Sequence, residues 1–572
     1  MKGQTSEEKK RILKIAGNPK NAVVEKLNSV KNGYRILQRT YFYDKAKKRS
    51  GNTKKAIGVV IDNEYLTIDQ YHQRYTHRGN LRTSSEEKLK FEEELFQQKL
   101  LGPIPILYQT AKNCNIINDL YEVYGKEFGD EILSISFHWI VDRDNAARRY
   151  KRFSMLFALP FTGQISEKDL SKIYANLGND KESLYKLFSL RCKRLESKIC
   201  VNYDSTSIPT KASDIYFKKV SKTKEGQYAP MIHLSILAEQ ITGSPVLFSL
   251  FTGNEPDCAT IEDLVNKICI LKNDGTEIIF VFDRGYETLS NLILFAKNNR
   301  KCLMAARVLD QNLINIARKN CPSFTSSATI IPGTCVHGNT ETVNIDFRGR
   351  TYKFWIHIYK DDNQAAWETA EFMKKLDDFE RGWEGADDKG RKKLLSDPMI
   401  KFYKDTDINL SLDRLHEEID RYMKDFGYFA NISTFMTSAK DAYNIYTERD
   451  TIEKCFESGK MNINLDTVRG HFQDTMEGRF VVAFISLIIL QELKFQLSQE
   501  RKSEDKRKKK LNSHAYSVTD VLDITRGITI NFSSKKNSFW FGGVIKEIKQ
   551  LCVACGVDED LYSQAPSYLK FV

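Results

Sequence analysis

Hydrophobic and polar positions alternate along the first part of the chain before they begin to cluster. "YRILQRTYFYD" and "KKAIGVVID" read as two strands around the Gly-containing loop "KAKKRSGNT", which gathers Lys45, Lys47, Lys48, Arg49, Lys54 and Lys55. A hairpin tipped with six cations has the charge to grip a phosphate backbone; a solvated charged turn has the same composition. From about 84 to 195 the pattern turns helical. "SSEEKLKFEEELFQQKLLG" has acids near its start and Gly at its end, and "SEKDLSKIYANLG" opens on a Ser cap.

At about 196 the pattern changes. "KICVNYDSTSI" is a β-rich run that becomes polar, "YAPMIHLSILAE" and "PVLFSLFTG" are further strands, and "TIEDLVNKICIL" is an amphipathic helix. Glu277 to Phe282 is then almost wholly apolar, before a polar "DRG" and another helix. A continuous apolar strand between helices is how a central strand of a covered α/β sheet reads. Within 310–430, "TIIPGTCVHGNTETVNIDFRGRTYKFWIHIYKDD" alternates with turn signals, so an antiparallel β unit is expected, followed by a charged helical stretch. Next come a strand at "FGYFANISTFM", a helix over 440–460 and a buried helix over 478–499, with "ERKSEDKRKKKLN" as a basic linker.

These transitions divide the chain into six stretches. They are a basic hairpin region (1–83), a helical module (84–195), a first α/β part (196–309), a β-rich insertion (310–430), a second α/β part (431–500) and a basic linker with a C-terminal helical region (501–572). The first two are candidate DNA-contacting units.

Composition adjusts this picture only slightly. With 572 residues, 41% of them hydrophobic, the chain can bury several cores. Lys and Arg outnumber Asp and Glu by 87 to 75, a net charge of +12 that suits a polyanionic partner. The eleven cysteines include one tight pair, Cys552 and Cys555, without a second pair nearby to complete a four-ligand zinc site. They read as small apolar residues in a helix, and a reduced cytoplasmic compartment is expected. The start has no apolar signal region, and the longest apolar run, "FVVAFISLIIL", is shorter than a bilayer span. A soluble protein with no membrane partner is the expectation. The chain has no G-x4-GK[ST] loop, which argues against an ATP-driven helper.

Candidate chemistry lies in acids that follow apolar strands. Asp204 ends "KICVNYD" and Asp283 ends "IIFVFD", and ligands collect at the C-terminal ends of strands in α/β sheets. A carboxylate there is costly to bury unless paired, hydrogen-bonded or metal-bound. Later comes "YTERDTIEKCFESGK". On a helix at about 100° per residue, Arg449 lies roughly 60° from Tyr446, Glu453 roughly 20° and Lys460 roughly 40°. Glu457 shares that face, so helical geometry alone does not choose between Glu453 and Glu457. A solvated, salt-bridged surface has the same pattern, since Arg449 and Glu453 form an ordinary i,i+4 pair. His138, His233 and His471 are isolated and read as structural. Trp355 reads as a core strand residue, with Trp367 and Trp383 as other large aromatics of the insertion.

"DST" after one strand, "FDRGY" after a second, and Y-x2-R-x3-E-x6-K on a later helix resemble the DDE-type bacterial insertion-sequence transposases, the group with the YREK signature. The resemblance runs from roughly 30 to 500 and includes "GNEPDCAT" at 253–260. It implies an α/β fold with an RNase H-like catalytic core, interrupted by a β-rich insertion that fits the 170 residues separating Asp283 from Glu453. It further implies that Asp204, Asp283 and Glu453 are catalytic and hold two Mg²⁺ (or Mn²⁺) ions, and that Tyr446, Arg449 and Lys460 contact DNA. Three carboxylates suit such hard cations, which activate an attacking water or 3′-hydroxyl and stabilise the leaving oxygen.

The implied partners are double-stranded DNA, as terminal inverted repeats and target, and a second copy in a synaptic homodimer. The implied location is the bacterial cytoplasm at the nucleoid. The competing readings are an RNase H-like nuclease without strand transfer and a non-catalytic DNA-binding relative. One departure is local: Gly459 precedes Lys460 where the family has a bulky apolar residue, and is expected to loosen the last helical turn.

Overall fold

The apolar run Ile278–Phe282 is buried along its whole length in the middle of a nine-stranded sheet. That is what a strand with neighbours on both edges and cover on both faces requires. The structure is a computed structural model. It describes residues 6–27, 32–44, 49–68, 70–71, 98–195, 198–210, 212, 215–222, 227–271, 277–306, 324, 326–404, 412–467, 469–470, 472–507, 516–533 and 538–569. The chain divides into two units, Met1–Gln98 and Lys99–Val572.

In the first unit, strands β1 (Ala22–Lys26), β2 (Gly33–Asp44), β3 (Arg49–Ile61) and β4 (Glu64–Thr67) form an antiparallel meander. Helix Ser6–Ile15 lays Ile12 against Val24, Ile36 and Val60 on one face. The expected hairpin is therefore present as β2 and β3. Its cationic tip is only partly seen, because Lys45, Lys47, Lys48 and the Arg49 side chain lie outside the described residues. Lys54 is not a free cation: its ammonium sits 2.6 Å from Glu25 Oε1 on β1.

The second unit begins within β5 (Gln98–Leu100) and continues with the six helices Ile104–Asn113, Ile116–Tyr124, Lys126–Asp142, Ala147–Leu156, Glu167–Asn179 and Lys181–Lys193. Ser166 caps the fifth as expected, accepting from the Asp169 N–H. The expected helix over 84–97 lies outside the described residues, and Gln98–Leu100 is strand.

Then come β6 (Lys198–Pro209), β7 (Lys219–Lys222), β8 (Tyr228–Glu239), β9 (Pro245–Thr252), β10 (Glu277–Phe282) and β11 (Lys301–Ala305). β10 runs parallel to both β6 and β11. β8 is antiparallel to β6, and carries β7 and β9 on its other edge. Helix Ile261–Leu271 makes the crossover into β10.

The alternating segment after 330 does not form a separate β unit. β12 (Val336–Phe347) and β13 (Arg350–Asp361) are a hairpin, but β13 pairs with β16 (Tyr428–Ser433), and β16 pairs with β11. The hairpin thus extends the main sheet, because its inward residues Phe354, Ile356 and Ile358 share that sheet's core. Between β13 and β16 the chain is mainly helical: Asp362–Glu384, Asp388–Leu394 and His416–Met423 enclose a small core of Phe372, Leu376, Phe379, Phe402, Tyr403 and Ile419. The short ladder of β14 (Tyr403–Lys404) and β15 (Asp413–Arg414) closes it.

The long helix Gln473–Arg507 carries the apolar run 480–490, and it is helical well into the basic stretch expected as a linker. It crosses helix Glu167–Asn179 so closely that a Cβ on Gly178 would fall 1.9 Å from the Asp474 carbonyl oxygen, and one on Gly478 would fall 1.7 Å from that of Tyr174. Two glycines permit that crossing. Among the described residues it is the one helix long and apolar enough to cross a membrane, and 78% of its apolar window is buried inside the protein. The C-terminal region is not purely helical. β17 (Thr529–Ser533) and β18 (Ser538–Gly542) form a sheet with β5, flanked by helices Val518–Thr525 and Glu547–Ala554. Cys552 and Cys555 are buried, free thiols at that last helix.

Candidate active site

Asp204 and Asp283 follow residues paired across two parallel strands, since Tyr203 on β6 is in register with Phe282 on β10. Asp204 does not end its strand, however. β6 continues to Pro209 because β8 keeps offering a ladder on its other edge, from Asp204 opposite Ile236 to Pro209 opposite Met231. Only β10 turns away, into the 3-10 turn Arg284–Tyr286, so both acids stand where the parallel pairing stops.

Each carboxylate is first oriented locally. The Ser205 N–H donates to Asp204 Oδ1 at 2.8 Å, and the Arg284 N–H donates to Asp283 Oδ1 at 2.7 Å. The Asp204 side chain is 21% exposed. Burial pushes its carboxyl up to about 6, opposed by the Ser205 N–H and Arg449 but reinforced by the charges of Asp283 and Asp257.

The signature segment is two helices rather than one. Ala439–Thr447 ends, and Asp450–Ile463 begins, at a turn held by i→i−3 bonds: Arg449 N to Tyr446 O at 3.1 Å, and Ile452 N to Arg449 O at 3.1 Å. Tyr446 and Glu453 therefore do not share a continuous helical face. The turn brings the pieces together in another way. Tyr446 donates its hydroxyl to Asp283 Oδ1 at 3.4 Å. Arg449 donates Nη2 to Glu453 Oε1 at 2.7 Å and places Nη1 3.6 Å from Asp204 Oδ2. The three acids thus meet the signature through one phenol and one guanidinium. Glu457 acts elsewhere: its charge supports the Lys494 ammonium, which burial pushes down. The geometry favours Glu453.

Lys460 is not part of this cluster. It lies half-buried two turns beyond Glu453, about 10 Å along the helix axis. Gly459 does not loosen the helix there. The helix runs to Ile463 and closes with Asn464 left-handed at φ 54°, the Leu465 N–H reaching Gly459 O at 3.0 Å. A Cβ on Gly459 would meet the Leu465 side chain at 3.4 Å, an ordinary contact distance.

Two buried polar residues absent from the sequence reading brace the turn. Asn202, on β6, donates to Thr451 Oγ1 at 2.8 Å. It accepts from Gln240 Nε2 at 3.1 Å, and the same Gln240 nitrogen donates to the Ile445 carbonyl at 2.7 Å. Their one sequence signal is a polar Asn inside "KICVNYD". The far end of the signature helix is held by Asn145, whose amide donates to the carbonyls of Ile463 and Asn464.

His138 is buried edge-on to Tyr150 and Phe153, as a structural residue would be. His233 is not isolated, since its Nε2 lies 3.1 Å from Asp257 Oδ1. His471 lies outside the described residues. Trp355 is half-buried on β13 with the Lys353 ammonium 5.3 Å from its ring, Trp367 is exposed, and Trp383 is buried in the helical unit.

Asp204 and Glu453 share one guanidinium and Asp283 meets a neutral phenol, so the cluster keeps a surplus of negative charge. Among the described residues, no three His, Cys, Asp or Glu side chains are already gathered as a metal-binding group; Arg449 holds a place among the acids. The donors nevertheless fit a hard divalent cation, being carboxylate oxygens. One nitrogen of the guanidinium in their midst, Nη1, is buried and without a hydrogen-bond partner.

No curated protein sequence matches the chain. Among solved structures, a cryo-EM structure of a piggyBac transposase synaptic complex with hairpin DNA is similar over 69% of this chain and 70% of that one, at 6% identity and a TM-score of 0.35. The family described as "Transposase DDE domain" matches residues 197–489, just over half of the chain and a span that contains Asp204, Asp283 and Glu453. The chain belongs to the transposase DDE-domain family.

Proposed function

We propose that the protein is a metal-dependent DNA transposase of the YREK insertion-sequence group. It binds the terminal inverted repeats of an element, hydrolyses the phosphodiester at the 3′ ends, and joins those ends to target DNA by transesterification. In this reading β9, β8, β6, β10 and β11 are the RNase H-like core, and Asp204, Asp283 and Glu453 hold two Mg²⁺ or Mn²⁺ ions. Bound there, the ions supply Lewis acidity to the phosphoryl group and lower the pKa of the attacking hydroxyl.

The observation that carries the reading is the meeting of three distant segments. Arg449 bridges Asp204 and Glu453 while Tyr446 reaches Asp283, so the residues after two strands are linked to the much later signature turn. The chain's own groups then divide the work. Asp204 and Asp283 are held by adjacent backbone N–H groups, which fixes the direction of their lone pairs. Arg449 and, further along the helix, Lys460 supply positive charge to a DNA phosphate approaching the acids. The β2–β3 hairpin of the first unit, with Arg35, Arg39 and Lys55, is a candidate backbone contact. Bringing two ends together implies at least a dimer on DNA.

A strand-transfer assay with pre-cut terminal repeats and a target duplex tests the function. Products longer than either substrate, dependent on Mg²⁺ and absent with Asp283→Asn, are expected. Cleavage without joined products would point to a nuclease; DNA binding with neither, in the wild type, would leave a binding relative.

A further inference from the structure

One acid beside Asp204 is not among the three proposed ligands. Asp257 lies in "GNEPDCAT", the stretch between β9 and the helix Ile261–Leu271. Its Oδ1 receives the Ser205 hydroxyl at 2.5 Å, and the His233 ring nitrogen stands 3.1 Å from the same oxygen. The Ser205 hydroxyl in turn accepts from the Tyr286 hydroxyl at 2.8 Å. Ser205 follows Asp204 on β6, and Tyr286 closes the turn that follows Asp283 on β10. That turn comes so near Asp257 that a Cβ on Gly285 would lie 3.4 Å from Oδ2. The two segments are tied a second time through Asn291, whose amide donates to the carbonyls of Cys258 and Tyr286. Ser, His and Asp are therefore all present, but the serine points at the aspartate and not at the histidine. No nucleophile is being activated.

We propose that Asp257 is a positioning residue for the metal site: through the Ser205 hydroxyl and Tyr286 it ties β6, just after Asp204, to the turn that follows β10 and Asp283, and so fixes the two carboxylates relative to each other for a divalent ion. The inference rests on the reading of Asp204 and Asp283 as metal ligands. Its physical basis is that ligand carboxylates need partners that fix their backbone and rotamer, and that outer partners of this kind commonly set affinity by an order of magnitude. Asp257 suits that role because one carboxylate oxygen serves two strands, Ser205 on β6 and His233 on β8. Tyr286 extends the link to the β10 turn while being 1% exposed itself.

The experiment measures Mn²⁺ binding to the full chain without DNA, by loss of the free-ion electron paramagnetic resonance signal, alongside a thermal melt. Asp257→Asn keeps the size of the side chain and removes its charge; Ser205→Ala cuts the link to β6. Each is expected to weaken Mn²⁺ binding about ten-fold, and the double variant is expected to be no weaker than either single one, because both break one chain of contacts. Asp204→Asn serves as the reference. If it loses Mn²⁺ while Asp257→Asn and Ser205→Ala bind like the wild type, the positioning role is wrong and the metal-site reading stands. If Asp204→Asn itself binds Mn²⁺ like the wild type, the metal-site reading fails. Should Asp257→Asn not fold, Ser205→Ala and Tyr286→Phe decide the matter. They leave every charge in place, so a ten-fold loss supports the role and unchanged binding overturns it.

Discussion

Two acid–guanidinium clusters in the second unit are built from the same groups and behave in opposite ways. In the helical module, Asp119 is fully buried between two arginines. Arg194 Nε lies 3.1 and 3.0 Å from its two oxygens with Nη2 also bonded to it, and Arg191 Nη1 divides itself between Asp119 and the Cys114 carbonyl. One negative charge is enclosed by two positive ones, and the surplus donor finds a backbone oxygen. Around Arg449 the proportion is reversed: one guanidinium stands between Asp204 and Glu453, Asp283 is met by the Tyr446 phenol alone among the signature residues, and Glu453 is 56% exposed. A cluster with spare positive charge can be closed by carbonyls, which a protein has in plenty. One with spare negative charge stays incomplete until a cation or N–H donors arrive, so it sits at the end of a parallel strand pair facing solvent.

The largest effect expected from this contrast is chemical. Replacing Asp204 or Asp283 by Asn, or Glu453 by Gln, should lower the Mg²⁺-dependent cleavage rate at least about a thousand-fold, the scale of about 4 kcal/mol of charge stabilisation. Gel assays on terminal-repeat duplex measure it. A variant within ten-fold of the wild type would show that the open cluster is not the reactive one.

Removing the acid of the closed cluster should act on folding instead. Asp119→Ala leaves the buried Arg191 guanidinium without its carboxylate, beside the partly exposed Arg194, at a cost of about 3 kcal/mol, to be read from urea unfolding. Asp204→Asn should unfold near the wild-type midpoint. If Asp119→Ala is as stable as the wild type, closure of that cluster is not what holds helices Ile116–Tyr124 and Lys181–Lys193 together.

A neutral member of the closed class extends the comparison to pH. His357 on β13 is fully buried, with its two ring nitrogens 2.9 Å from Thr340 Oγ1 and 3.0 Å from Ser433 Oγ. Burial pushes its pKa down to about 4. An unfolded chain takes up this proton near 6.5, the folded one only near 4, so the histidine's contribution is complete above 6.5 and is lost as pH falls through that window. Between pH 7 and pH 5 the wild type should lose about 2 kcal/mol more than His357→Gln. Equal losses would mean that water reaches the ring.

The contrast between the clusters also explains what could be read from the chain itself. The apolar run of β10 and the Ser166 cap were legible because local pattern alone specifies them, whereas the three acids were singled out by the family resemblance. The join between the signature helices was not, since no Gly or Pro marks the turn and the residues on both sides keep helical periodicity. The pairing of β13 with β16 depends on a strand about 70 residues away, and alternation looks the same whether a hairpin is free or joined to a sheet. Asp257 escaped for the same reason: its partners Ser205 and His233 sit on two other strands. Distance along the chain hid the contacts, while the residue types were in plain view.

The smallest effect is the one that most sharply separates the two clusters, because its sign is at stake. In the closed cluster a guanidinium completes its carboxylate; in the open one, Arg449 occupies space and charge that a divalent ion would use. Arg449→Gln removes one charge-assisted hydrogen bond to Glu453 and the positive charge beside Asp204. If the arginine competes with the ion, Mn²⁺ binding without DNA should tighten about ten-fold, matching roughly 1.5 kcal/mol for such a bond. Binding of a terminal-repeat duplex should weaken at the same time, because a phosphate contact is lost. Thermodynamic reciprocity then requires that duplex DNA, by drawing the wild-type arginine away, strengthens Mn²⁺ binding, and that the variant shows less of this coupling. Weaker Mn²⁺ binding in Arg449→Gln would mean that Glu453 needs the guanidinium to stay in place. Arg449 would then act as Arg194 does, as the clamp of its carboxylate, and the distinction between the two clusters would reduce to their exposure.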